Sequence, residues 1–275
     1  MRYRRLPIEI ESPEQFGYDR IRYNLAESSV RDLVLRDLAP DLPDRLARLV
    51  LAYGDHLGLP DLRERIGALW SMPGGSVIVT PGAAAALFLV NTTCVRPGDH
   101  VVVARPNYAT NLETPRAIGA DVTYLDATWD AGWRLTPAAV VDAMTDRTVL
   151  VSLTTPGNPT GAVIAEPDLA AIVEAVERHP SARLLLDETY RDLAFGEPTT
   201  PGAALSDRVI GVSSLSKAYG IPGIRIGWLA TRDAVLLETL LAAKEQIVIS
   251  NSVVDETIAL AALERRDEWL PRFRA

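Results

Sequence analysis

A chain of 275 residues, 48% of them hydrophobic, is long enough to bury a sizeable core and to hold one large domain plus part of another. Its 36 acidic and 28 basic residues leave a net charge of −8, so there is no global basic field to attract nucleic acid, and small molecules are the expected ligands. No run of about 18 apolar residues marks a membrane span, MRYRRLPIEIESPEQ lacks the apolar segment of a signal peptide, and the lone Cys94 cannot close an internal disulfide; a cytoplasmic protein without a membrane partner is expected.

Met1 to about Pro43 is rich in charge and proline, and RDLVLRDLAPDLPDRLARLVLAY carries two short helical patterns split by Pro40 and Pro43. Residues 1–45 therefore read as an N-terminal arm or a partial small domain. After the glycine-containing connection from Tyr53 to Gly58, PDLRERIGALW predicts a helix with Pro60 in its first turn and Leu62, Ile66 and Leu69 on one face. VIVTPGAAAALFLVNTTC, Val77 to Cys94, then passes from a β-branched run through Pro81-Gly82 into an alanine-rich helix pattern. A strand that turns directly into a helix aims free backbone N–H groups at the turn, where a phosphate binds without cationic side chains. Gly82, Ala83 and Ala84 are the candidate phosphate cradle, because small side chains let an anion approach the backbone, although most such junctions bind nothing.

DHVVVARPNYATNLE, Asp99 to Glu113, predicts a strand ending at Pro106. Tyr108 just beyond it either covers the sheet edge or stacks on a planar ring. His100 and His179 read as turn residues, with no spaced partners for a metal. DVTYLDA, TVLVSLT, ARLLLDE and DRVIGVSS are short, nearly continuous apolar runs that alternate with helix patterns such as EPDLAAIVEAVERH. That alternation indicates a three-layer α/β/α architecture with a mainly parallel sheet. Ligands of such sheets bind beyond the carboxyl ends of strands, and Asn158, Asp187 and Lys217 all follow such ends.

Lys217 and Lys244 are the only lysines in a chain that otherwise uses arginine. Lysine is the basic side chain that readily loses its proton and attacks a carbonyl, so Lys217 is either a turn lysine or a nucleophile. Lys244, among Glu238 and Glu245 on a helix pattern, is expected at the surface, as are Arg191 and Asp192. VVDETIALAALERRDEWLPRF is expected to leave the large domain as a helix, with Ile258, Leu260, Ala262 and Leu263 exposed and prone to associate.

Three motifs in order, Asn158-Pro159-Thr160-Gly161, Asp187 with Tyr190, and Ser214, Lys217 and Arg225, resemble those of the class I/II aminotransferase family, fold type I pyridoxal-phosphate enzymes. The resemblance runs from about Asn24 to the end of the chain. It implies pyridoxal 5'-phosphate as cofactor, with Lys217 linked to its aldehyde and later serving as base for the substrate Cα proton. It places Asp187 on the pyridine nitrogen, Asn158 and Tyr190 on the phenolic oxygen, Tyr108 against the ring, and Ser214 and Arg225 on the phosphate with the Gly82–Ala84 turn. Tyr53, otherwise a packed loop aromatic, is implied to reach the phosphate of a partner subunit, hence a homodimer. Residues 46–255 become the cofactor-binding large domain, and 256–275 the start of a helix leading to a C-terminal small domain that the chain lacks. Arg265, Arg266, Arg272 and Arg274 stand too early to be the family's carboxylate-gripping arginine, which implies a truncated or split form deficient in holding an amino acid. The implied reaction is amino-group transfer between an α-amino acid and a 2-oxo acid; the alternatives are a lyase, cyclase or oxidase, or a non-catalytic module of the same fold. YNLAESSVRDL departs from the family's glycine-rich opening and is similar to that of capreomycidine-synthase-like members, which remodel arginine.

Overall fold

The computed structural model describes residues 1–196 and 199–274. Seven strands form one sheet: β1 (Val77–Pro81), β2 (His100–Arg105), β3 (Asp121–Asp126), β4 (Thr148–Thr154), β5 (Arg183–Asp187), β6 (Val209–Ser214) and β7 (Ile226–Ala230). Their order is β1-β7-β6-β5-β4-β2-β3; β7 runs antiparallel to both neighbours, and the remaining pairs are parallel. Continuously apolar strands are explained by cover on both faces, since successive side chains alternate between them. Val101 and Val103 pack with Ile78, Leu87 and Ile210 on one face, whereas Val102 joins Val151, Leu184 and the helix Glu166–Arg178 on the other.

A third cluster lies over β1 and β7, centred on Trp70 edge-on to Trp228 with ring centroids 5.8 Å apart. The helix Pro60–Leu69 contributes Leu62 and Ile66 to it, as its spacing predicts. The C-terminal pattern is corrected here. It breaks at Arg265 into the helices Val253–Glu264 and Arg266–Arg274, and Ile258, Ala262 and Leu263 are buried while Leu260 is partly so. The expected exposed apolar face does not exist, because Leu38 and Leu42, from the short helices Leu35–Leu38 and Leu42–Ala47, join Leu62 and Trp70 in covering it. Arg45 ties the two parts together through Glu264 at 2.7 Å, and Arg265 donates to the Leu38 carbonyl at 2.9 Å. Ala275 and the side chain of Arg274 lie outside the described residues.

Two further expectations are corrected. Lys244 is 1% exposed, with its ammonium donating to the carbonyl of His56; burial lowers its pKa, partly offset by the charges of Glu256, Asp55 and Glu245. A long aliphatic stem lets a lysine on an apolar helix face bury itself and still reach a polar partner. His100 is no turn residue. It is buried in the sheet and joins three strands, Nδ1 pairing with Thr148 Oγ1 at 2.8 Å and Nε2 with Thr123 Oγ1 at 2.9 Å. His179 does hold a turn, its Nδ1 accepting from the Ala182 amide at 3.0 Å. No helix among the described residues is long and apolar enough to cross a membrane, and no His/Cys/Asp/Glu group among them has metal-binding geometry.

Candidate active site

The carboxyl ends of β4, β5 and β6 open into a cavity of about 1120 Å³. Ala83, Ala84, Tyr108, Asn158, Asp187, Tyr190, Ser214, Lys217 and Arg225 all line it. Gly82 precedes the lining residue Ala83 without itself lining the cavity, and Tyr53, 84% exposed, stands outside it.

Asp187 ends β5 and is 4% exposed. Its Oδ1 accepts from the Thr189 hydroxyl at 2.7 Å and amide at 3.1 Å, and its Oδ2 from Asn111 Nδ2 at 3.3 Å. Burial raises its pKa, and these three donors only partly oppose the rise, so the site favours a cation beside the carboxylate. Asn111 is itself held by Asn107 Oδ1 at 3.1 Å, and the same oxygen accepts from the Tyr108 amide at 2.7 Å and Thr154 Oγ1 at 2.9 Å. One network thus fixes both the carboxylate and the aromatic residue.

At the other end of the cavity β1 turns straight into the helix Gly82–Cys94. Gly82 has φ +80°, and a Cβ there would stand 2.6 Å from Arg225 Nη2, so glycine is what lets the guanidinium reach the turn. Gly227 is equally constrained, since a Cβ would meet the Ala83 amide nitrogen at 2.5 Å. Arg225 takes the left-handed conformation at φ 50°, which an L side chain adopts only when its surroundings hold it. Its Nη1 donates to the Pro222 carbonyl at 2.9 Å. A helix N-terminus, an arginine fork and the hydroxyls of Ser214 and Ser216 therefore meet at one place, a donor set suited to a phosphate.

Lys217 lies on the loop between β6 and β7, its Nζ donating to Glu27 Oε1 at 2.9 Å. Burial works to lower its pKa, but the hydrogen bond to Glu27, with the charges of Tyr190, Glu27 and Tyr108, outweighs it and the pKa is raised. Tyr190 OH receives Asn158 Nδ2 at 3.1 Å and pairs with Ser28 Oγ at 2.8 Å; burial raises its pKa. Arg191 and Asp192 are not surface residues. Arg191 donates to the Thr199 carbonyl at 2.7 Å, while Asp192 accepts from Tyr219 OH at 2.5 Å and Arg266 Nη2 at 3.1 Å. Tyr219 follows Lys217 by two positions, so this buried group anchors the loop that carries the lysine.

Asn111, Thr189, Ser216, Glu27 and Ser28 were not predicted site residues. The spacing of Asn107 and Asn111, one helical turn apart, was a usable signal; for Glu27, 190 positions from Lys217, local sequence held none.

A lysine on a strand-end loop, a buried carboxylate and a phosphate-shaped turn on one α/β/α sheet define a lysine-linked cofactor enzyme fold. The sequence matches the family described as aminotransferase class I and II over residues 20–274, and the chain belongs to that family. It is 33% identical over 206 residues to histidinol-phosphate aminotransferase of Symbiobacterium thermophilum, covering 74% of this chain and 54% of that one. With capreomycidine synthase of Streptomyces vinaceus it shares 32% identity over 265 residues, 93% of this chain and 67% of the relative. A crystal structure of a PLP-dependent aminotransferase from Streptococcus suis superposes with a TM-score of 0.87 at 29% identity, over 96% of this chain and 72% of that chain. The chain spans about half the length of several curated relatives it matches, 54%, 51% and 50% for three of them. Pyridoxal phosphate is the cofactor these relationships imply. The chain fits it: the turn needs glycine for an arginine to cross, and a buried carboxylate lacks a cation.

Proposed function

We propose that this chain binds pyridoxal 5'-phosphate and works as an aminotransferase between an α-amino acid and a 2-oxo acid. The observation that carries this reading is the meeting of Lys217, Asp187 and the Gly82–Arg225 turn in one cavity. When bound, the cofactor supplies a ring that takes up the electron pair left at the substrate Cα. Ala83, Ala84, Ser214 and Arg225 hold its phosphate, and Tyr108 covers the ring. Asp187 keeps the ring nitrogen protonated, while Asn158 and Tyr190 hydrogen-bond the phenolic oxygen. Lys217 fixes the cofactor and then carries the proton at Cα. The residues 46–255 make up the cofactor-binding domain in this reading. A cytoplasmic setting is supported by the single Cys94, which cannot close an internal disulfide.

Glu9, Glu11, Glu14 and Asp32 also line the cavity, opposed on the same segment by Arg5. This wall favours an amino acid with a cationic side chain, and a relative named arginine–pyruvate transaminase is 33% identical over 186 residues. Titrating the cofactor-loaded chain with a panel of amino acids, each with a 2-oxo acid acceptor, tests both points. Saturable changes in the visible band with amino transfer are expected, with arginine or lysine saturating at lower concentration than aspartate. A band that no amino acid alters would overturn the activity, and preference for aspartate would overturn the cationic substrate.

The homodimer belongs to the same proposal. Tyr53 is 84% exposed beside Val50 at 76% and Leu51 at 78%, an apolar strip that a second copy would cover. Sedimentation velocity is expected to give a dimer. A monomer of full cofactor affinity would give Tyr53 another role.

A further inference from the structure

The N-terminal segment closes one side of the cavity and is built onto the lysine loop. The Val30 amide donates to the Lys217 carbonyl at 3.3 Å and the Leu33 amide to the Gly220 carbonyl at 2.7 Å. Gly220 has φ +61°, and a Cβ there would stand 2.5 Å from the Arg31 carbonyl oxygen, so the loop is shaped to let this segment dock. Ser28 Oγ pairs with Tyr190 OH at 2.8 Å, and Asn24 Oδ1 accepts the amides of Ala26 and Glu27 at 3.2 and 3.1 Å. Between these anchors the Glu27 carboxylate is delivered to Lys217 Nζ at 2.9 Å, both side chains less than a third exposed.

We propose that Glu27 is a positioning residue for Lys217: in the cofactor-free chain it holds Nζ as an ammonium, and this ion pair must open before the lysine links to the cofactor. The inference rests on the proposed cofactor. Linkage needs the lone pair on Nζ, which an ammonium lacks. One proton passes to Glu27 or to solvent, the carbon–nitrogen bond forms, and the aldehyde oxygen departs as water. Around Nζ stand Glu27, Tyr190 and Tyr108, with Asp187, Arg225, Tyr18 and Asp32 lining the same cavity. Burial alone would favour the neutral amine, and Glu27 with the two tyrosines reverses that preference. The rate of linkage at fixed pH therefore rises when the Glu27 charge is removed, and its pH profile moves to lower pH.

Because the chain has only two lysines and Lys244 is 1% exposed, the state of Lys217 can be read directly. The rate of Lys217 acetylation by acetic anhydride, measured against pH by mass spectrometry on the cofactor-free chain, reports its neutral fraction. Removing an opposite charge this close lowers the pKa of the ammonium, so Glu27→Gln is expected to speed acetylation and cofactor uptake by ~10-fold or more near neutral pH. Glu27→Asp should restore part of the slow uptake, and circular dichroism confirms that each variant is folded. Ser28→Ala, which loosens the segment at Tyr190 and keeps the charge, should leave the acetylation profile in place. Superimposable pH profiles for Glu27→Gln and the unaltered chain would overturn the proposal, as would a Ser28→Ala variant that accelerates uptake equally, which would make the segment a steric cover. A chain that takes up no cofactor at any pH would overturn the proposed function and the loading step with it, while the acetylation profile still decides whether Glu27 holds the ammonium.

Discussion

Lys217→Ala is expected to abolish the visible band of the lysine-linked cofactor and to lower turnover by about 10⁴-fold, because in the proposed function one side chain would supply both the covalent tether and the base at Cα. The fold should survive the change. Lys217 is on a loop, part-exposed, with Glu27 as its ion-pair partner, and an exchange there removes little packing. Lys244→Ala is the opposite case. Its ammonium satisfies the His56 carbonyl from a 1% exposed position, near the carboxylates of Glu256 and Asp55. Truncation leaves a cavity, an unpaired carbonyl and an uncompensated negative charge, a loss of roughly 2–4 kcal/mol. The band should remain at temperatures where this variant is folded. Absorption spectra and thermal melts of the two variants check the pair of expectations, and a folded Lys244→Ala protein without the band would show that the tether had been assigned to the wrong lysine.

How much of this was legible in the sequence depends on whether the signal was local. The sheet was, because the nearly continuous apolar runs in TVLVSLT and ARLLLDE suit strands covered on both faces, and β4 and β5 occupy those runs. So was the junction at Gly82, where strand and helix patterns abut without a spacer. The positions of Asn158, Asp187 and Lys217 at strand ends followed from the same rule. What failed were judgements of exposure. Lys244, Asp192 and His100 were placed by their polarity, yet each is satisfied by a group distant in sequence or across the sheet, His56, Arg266 and Thr123, while Arg191 is satisfied by the Thr199 carbonyl eight positions on. The helix Val253–Glu264 was misread for the converse reason, since its cover comes from Leu38 and Leu42 more than 200 positions earlier. Glu27 belongs to the same class, a side chain whose role is visible only after the chain has folded back.

Asp187→Asn is expected to leave cofactor bound while slowing deprotonation of the substrate Cα by two orders of magnitude or more. Binding should persist because the phosphate end of the site, the Gly82 turn with Arg225 and Ser214, is built at the ends of β1, β6 and β7 and, among the described residues, shares no hydrogen bond with the Asp187 network of Asn111, Thr189 and Asn107. Chemistry should fail because, in the proposed reading, the carboxylate charge would keep the ring nitrogen protonated, and a neutral ring accepts the Cα electron pair poorly. Electrostatic partners in water-excluded sites are worth about 10²–10³ in rate when removed, and Asp187 at 4% exposure is in such a site. Asparagine keeps the side-chain volume, so packing changes little; its amide must turn its oxygen to the Thr189 donors or lose them. Asp187→Ala removes the acceptor for both Thr189 and Asn111 and should add a stability loss to the same kinetic defect. Single-turnover mixing with an α-deuterated amino acid separates the steps, giving the cofactor affinity from the spectrum and the deprotonation rate from the isotope-sensitive phase. An unchanged deprotonation rate in Asp187→Asn would remove Asp187 from the chemistry and leave its buried carboxylate a structural anchor for the end of β5.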